Sequence, residues 1–178
     1  MSLFYATIAT GLFLILCGGT LIFNYNPSQK FLKAFPRSKP ATYILMATAI
    51  IWFSFKIYNL PSSEFGDYST ILLVIFLSIT FASFYLVPDF LGVRALAGLT
   101  LLIADILLDA AFMQEPTSRL FLVSFVYLAI FFVLILGMVP YVLRDVINWF
   151  FKIKFRVQIL AYALSFYGIL LTYVALNY

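Results

Sequence analysis

Two aspartates inside a long apolar stretch are the residues of this chain best suited to chemistry. Asp105 and Asp109 lie in the stretch 95–113, which is otherwise rich in Ala, Leu and Ile. Residues four apart share one face of a helix, so the two carboxylates are predicted to act together. A charged residue at the centre of a bilayer costs roughly 2.5–3.5 kcal/mol even on a lenient scale. Acids in such a place are typical of proton relays and cation pathways.

Three further residues could complete this site. Arg94 and Gly98 fall on the helical stripe of Asp105, which we expect to face the interior of a helix bundle as a possible lining. Lys56, close to the end of another apolar stretch, is predicted at the depth of Asp109 and is the candidate for an ion pair with it. That pairing would leave Asp105 as the deeper and less compensated acid. Alternatively, Lys56 extends to the membrane surface and pairs with neither carboxylate.

Two polar residues of the last apolar stretch are weaker candidates for the same interior. Gln158 and Ser165 share a helical stripe there and could line a pore. Hydroxyl groups in membrane helices more often bond to their own backbone or to a neighbouring helix. For Asp105 and Asp109 the sequence leaves proton or cation movement and structural pairing or helix–helix hydrogen bonding as equal alternatives. Binding a polar group of a substrate is a third, less favoured one.

The residue types that are missing exclude several kinds of site. The chain has no histidine and a single cysteine, Cys17, so neither a common metal site nor an intrachain disulfide is expected. No glycine-rich phosphate loop is present. We therefore predict no cofactor, no metal and no catalytic set, since an enzyme acting on lipid would have only carboxylates and tyrosines to use. The net charge of +4 is small and scattered, so nucleic acid is not an expected partner.

Composition predicts the elements that must position these residues. The chain is 65% apolar and 10% charged, whereas soluble domains have about 45–50% apolar and about 25% charged residues. About 20 apolar residues cross a membrane as a helix, and nothing alternates like a barrel strand. We predict a single all-α integral membrane domain over 1–178, a bundle of six transmembrane helices with short loops. The predicted spans are 3–23, 41–57, 70–87, 95–113, 120–143 and 157–176.

The basic residues predict how the bundle is oriented. Nine of the eleven Lys and Arg residues fall in the first, third and fifth loops. Cytoplasmic loops carry the excess of basic residues, so these three loops are predicted to face the cytoplasm. Both termini would then be non-cytoplasmic, with the first span retained rather than cleaved. The expected location is the inner membrane of a bacterium.

Two of the basic loops also contain bulky apolar residues. Lys30 and Lys33 alternate with Phe and Leu, and Lys152 and Lys154 follow a Trp-Phe-Phe run. Such segments lie in the headgroup plane, where they bind anionic lipid headgroups. Simple anchoring accounts for this pattern, and a docking surface for a partner is the alternative.

The sequence supports two functional hypotheses. The first is a small transport or ion-conducting module, working as a homo-oligomer or with other membrane subunits, with Asp105 as its protonatable or cation-binding centre. The alternative is a structural or accessory subunit of a larger membrane complex, because the chain has little soluble mass and no catalytic set.

Overall fold

The computed structural model describes residues 2–61, 66–86 and 90–178, and this part of the chain is all-helical without a strand. Eight α-helices are present within those ranges. Six of them are long and apolar enough to cross a membrane. The helices are α1 Leu3–Phe23, α2 Tyr25–Ala34, α3 Lys39–Tyr58, α4 Ser69–Leu86, α5 Leu91–Ala111, α6 Leu120–Met138, α7 Tyr141–Phe150 and α8 Lys154–Ala175.

The largest difference from the predicted spans concerns the segment 120–143. It was expected to be one span, but α6 ends at Met138 and the short helix α7 follows. Proline lacks the amide hydrogen that a continuing helix needs, and Pro140 separates the two helices. Apolar residues on both sides of Pro140 conceal this break from a hydropathy pattern.

Other boundaries differ by a few residues. Helix α5 begins at Leu91, four residues before the predicted span, and α8 begins at Lys154, three residues before its span. The apolar pattern underestimates both helices because each has a basic residue in its first turn. The predicted end of the third span, residue 87, lies outside the described ranges.

The closest helix pair is α1 with α8, which run antiparallel. Gly11 lies against Gly168, and Gly18 lies against Ala161 and Ser165. A β-carbon at Gly168 would lie 2.7 Å from the carbonyl oxygen of Gly11, so side chains are excluded there. Small residues of this kind let two backbones approach closely, which is how membrane helices pack.

The core of the bundle combines this pair with α5 and α6. Alanines supply the α5 part of the core, so that the neighbouring helices can come close. The buried residues of this cluster are Leu3, Ala6, Leu14, Ala104, Ala110, Ala111, Leu122, Val126 and Leu171. These four helices therefore form the packed centre of the protein.

Helices α3 and α4 lie outside this centre. Helix α3 packs along α5, and α4 meets α3 through two aromatic pairs. The rings of Tyr43 and Phe84 stack with centroids 6.3 Å apart, and those of Phe53 and Phe76 are 4.5 Å apart. Most of α4 exposes apolar side chains, and apolar surface on this scale is typical of a face covered by lipid or by another protein.

One end of the bundle is built from the short amphipathic helices α2 and α7. Ile147 and Phe151 pack with Val157 of α8 and with partly buried residues of α1 and α2, including Leu21 and Leu32. The turn Phe35–Arg37 connects α2 to α3 at the same end. We call this the basic end, because most of the basic residues lie on it.

Candidate functional site

The candidate site depends on how α3 and α5 are aligned. Thr42 lies beside Gly92, where a β-carbon would be 3.3 Å from the Cα of Thr42. Met46 packs against Leu91 and Ala95 one turn further along α3. The two helices therefore run parallel, starting together at the basic end.

Lys56 and Asp105 form an ion pair between these helices. The ammonium of Lys56 donates to the carboxylate of Asp105, which lies 49 residues further along the chain. The pair of Thr42 and Gly92 has nearly the same separation in sequence, so the alignment of the helices places Lys56 level with Asp105.

This pairing corrects the predicted partner of Lys56, which was Asp109. Side chains on a helix tilt towards its N-terminus, so the lysine leans towards the basic end. It meets the carboxylate that lies one turn closer to that end. Asp109 makes no ion pair within the described residues.

Asp105 is also further from the middle of its helix than the sequence suggested. Because α5 extends from Leu91 to Ala111, Asp105 lies in its last third, six residues before its end. At 1.5 Å per residue, its Cα is about 9 Å from the end of the helix. The predicted position near the middle of the span assumed a helix that began at residue 95.

The stripe that carries the two aspartates faces outward. The side chains of Lys56 and Asp105 are 43% and 44% exposed, and Asp109 is exposed one turn beyond. A β-carbon at Gly98 would meet nothing within 4 Å. We call Gly98, Leu101, Asp105 and Asp109 the open face of α5. The prediction from the sequence that this stripe faces the interior of the bundle is therefore wrong.

A second stripe on α5, made of small residues, packs against the neighbouring helix and thereby sets the orientation of α5. A β-carbon at Gly137 of α6 would lie 3.9 Å from the Cβ of Ala97, and Ala104 and Ala111 are buried further along the same side. These small side chains let α6 pack closely on that side. The polar stripe is therefore turned away from the core.

The other candidates for an interior lining do not converge. Arg94 is half-buried, and its Nε has no hydrogen-bond partner within the described ranges. Ser165 occupies the space opposite Gly18 between α1 and α8. Gln158 borders a cavity of about 340 Å³ at the basic end, together with Lys154.

The four lysines expected at lipid headgroups have different surroundings. Lys33 borders a cavity at the basic end. The ammonium of Lys154 lies 5.3 Å from the ring centroid of Tyr25, within the range of a cation–π contact. Lys30 and Lys152 are exposed.

Two arginines in the same region were not among the site residues predicted from the sequence. Arg37 and Arg144 line the cavity beside Lys33, although one belongs to the turn 35–37 and the other to α7, far apart in the sequence. The packing of α2 on α7 brings these two arginines together. No pattern of neighbouring residues in the sequence could have indicated that they share a cavity. In the described residues, no group of three His, Cys, Asp or Glu side chains could hold a metal ion.

Compared with protein-family models, with curated protein sequences and with solved structures, the chain matches none of them.

Proposed function

We propose that this protein is an integral membrane subunit whose open face of α5 binds a transmembrane helix of another membrane protein. The proposal depends on one observation: the ion pair of Lys56 and Asp105 lies on the outer surface of the bundle, about two-fifths exposed. In this arrangement the six long helices span the bilayer.

Energetics favours covering this face. Charged groups at the depth of the lipid chains are costly and usually face protein or a hydrated cavity. The ion pair reduces this cost but leaves both side chains partly open to the surroundings. A helix packed on the open face would replace lipid with polar partners and would remove the remaining penalty.

Charge predicts the kind of helix that fits. Lys56 and Asp105 neutralise each other, whereas Asp109 has no ion-pair partner among the described residues. The face therefore presents one net negative charge. The complementary partner is a transmembrane helix with a Lys or Arg at the level of Asp109. A second copy of this chain fits less well, because it would add another Asp109 at the same depth.

The shape of the face also suits a helix. The space above Gly98 is open to at least 4 Å from a β-carbon position. Glycines on membrane helices permit close approach of a second backbone. Gly98 lies two turns from Asp105, so a helix crossing here would contact both.

We propose further that the basic end faces the cytoplasm, as the excess of basic residues predicts. The open face would then have Asp109 nearest to the non-cytoplasmic side. The bacterial inner membrane, with both termini non-cytoplasmic, remains the location we propose.

Site-specific photo-cross-linking in native membranes tests the association. A photoreactive residue at Leu101 should form one discrete adduct with another polypeptide, whereas one at Ile79 on exposed α4 should react with lipid. Asp109→Asn should weaken the Leu101 adduct. In the cross-linked protein, replacing a basic residue in its contacting helix should have the same effect.

Three results would overturn the proposal. An adduct of twice the mass of this chain would make the interface homo-oligomeric. Equal adducts from Leu101 and Ile79 would show unspecific proximity. If Asp109→Asn leaves the adduct unchanged, the charge of Asp109 does not contribute to binding the partner helix.

One observation favours the second candidate function, proton or cation transport. Asp109 is exposed and lies one turn from Asp105, so a partner helix could complete a pathway along the open face. The test is flux into liposomes: Asp105→Asn should abolish it while the fold is kept. Unchanged flux in that variant, or no flux in the wild type, would contradict transport.

A further inference from the structure

A cationic cavity lies at the basic end, between α2, the turn 35–37 and α7. Its volume is about 210 Å³. Three of its lining side chains are cationic, and apolar groups form much of the remaining wall. The lining residues are Leu32, Lys33, Pro36, Arg37, Arg144, Ile147 and Asn148.

The charge of this cavity is only partly compensated. Arg144 donates to the Asp145 carboxylate, with Nε and Nη2 at 2.9 and 2.8 Å from Oδ1. Lys33 and Arg37 have no ion-pair partner in the part of the chain that the structure describes. About two positive charges therefore remain for a ligand, and clustered cations bind phosphate groups well.

A groove with a mixed lining adjoins the cavity. It has a volume of about 480 Å³ and shares Pro36 and Arg37 with the cavity. Lys39 and Thr42 are its further polar residues, and Tyr43, Phe84 and Leu91 form part of its apolar wall.

One feature connects the cavity with the groove, and another makes the groove favourable for an anion. Phe90 also lines the groove, and the guanidinium of Arg144 lies 6.0 Å from the centroid of its ring. Helices α3 and α5 begin beside the groove, and the N-terminus of a helix favours negative charge.

We propose that the cavity and the groove together bind one anionic phospholipid. Lys33, Arg37 and Arg144 hold the headgroup phosphate, and an acyl chain lies along Tyr43 and Phe84. A soluble phosphate compound would use the three cations but would leave the apolar wall of the groove uncovered. Basic pockets between helices at the cytoplasmic side are known to hold anionic headgroups.

This site differs from the headgroup contacts expected from the sequence alone. Lys30, Lys152 and Lys154 do not line the cavity, and the structure adds two arginines in their place. The inference depends on the proposed membrane placement but not on association through the open face of α5.

The experiment measures lipid binding by the full chain purified in a non-ionic detergent. Short-chain phosphatidylglycerol and phosphatidylcholine are titrated, and bound lipid is counted by native mass spectrometry. Wild type should bind one phosphatidylglycerol in preference to phosphatidylcholine. Arg37→Gln/Arg144→Gln should weaken this binding about tenfold or more, since each basic residue near an anionic lipid contributes ~1 kcal/mol.

A matched control has the same loss of charge outside the cavity. Lys30→Gln/Lys152→Gln should retain wild-type binding within about twofold. Arg37→Lys/Arg144→Lys keeps the charge and should recover part of the affinity. Because Arg144 also bonds Asp145, Lys33→Gln serves as a further variant that removes no intramolecular ion pair; it should weaken binding on its own.

Three outcomes would overturn the proposal. Equal weakening in the cavity and control variants would mean diffuse attraction only. Equal binding of the two lipids would mean that the site has no preference for a headgroup with a net negative charge. Binding of soluble glycerophosphoglycerol as tightly as phosphatidylglycerol would identify a soluble ligand. The assay contains no partner protein, so its result is separate from that of the cross-linking test.

Discussion

The ammonium of Lys56 contacts the carboxylate of Asp105, and this ion pair joins two parallel helices that are far apart in the sequence. The contact gives Asp105 a structural role that needs no transported ion. It also leaves Asp109 as the acid without an ion-pair partner among the described residues. The open face as a whole, rather than Asp105 alone, is therefore the candidate functional surface.

A double-mutant cycle tests this pair. Lys56→Met and Asp105→Asn should each destabilise the protein, with a coupling free energy of ~1 kcal/mol, because both side chains are partly exposed. Unfolding by denaturant in detergent micelles gives the free energies. The control cycle pairs Lys56→Met with Asp109→Asn and should show almost no coupling. Stronger coupling to Asp109 than to Asp105 would contradict the observed pairing.

Adjacent glycines of α1 provide a matched test of its packing on α8. A β-carbon at Gly18 would overlap Ala161 and Ser165, whereas one at Gly19 would meet nothing within 4 Å. Gly18→Ala should destabilise the protein by ~1–3 kcal/mol through overpacking. Gly19→Ala should be neutral or stabilising by up to ~1 kcal/mol, because alanine favours helix. Thermal unfolding of the two variants measures this difference, and similar midpoints would be inconsistent with the close contact.

Arg119 is predicted to stabilise the end of α5. Its Nη1 donates to the Ala111 carbonyl oxygen at 3.0 Å, and this carbonyl belongs to the last turn of the helix. Arg119→Met should lower stability by ~1–2 kcal/mol, since hydrogen bonds from charged groups exceed neutral ones. Arg119→Lys should lose less, because it keeps a donor and a charge. Equal losses in thermal unfolding would mean that the bond contributes nothing.

Both basic residues predicted on the non-cytoplasmic side thus have intramolecular partners. Lys56 binds Asp105, and Arg119 binds the end of α5. These contacts give both residues a structural role away from the basic end, so they do not weaken the charge asymmetry that predicts the orientation.

Cysteine labelling in intact cells tests that orientation. In a Cys17→Ala background, single cysteines replace Asn26 at the basic end and Gln114 at the opposite end, which are both exposed. An impermeant maleimide should label the cysteine at 114 in intact cells and the one at 26 only after permeabilisation. The reverse pattern would invert the proposed topology, and labelling of both in intact cells would argue against six spans.

The number and approximate limits of the long helices could be predicted from the sequence, because local runs of apolar residues determine them. Proline acts on its own helix, so a kink at Pro140 is also a local property of the sequence. The amphipathic character of 141–150 is likewise local, but the prediction treated this segment as the end of a span.

The sequence alone determined which side chains are chemically unusual: Asp105, Asp109 and Lys56 in apolar surroundings, and the basic residues of the loops. Only the tertiary structure decided their neighbours. The contact of Thr42 with Gly92 aligns α3 with α5, and this alignment brings Lys56 into an ion pair with Asp105. Contacts between distant segments depend on which helix faces fit most closely, and the small residues that decide this carry no charge or hydropathy signal of their own.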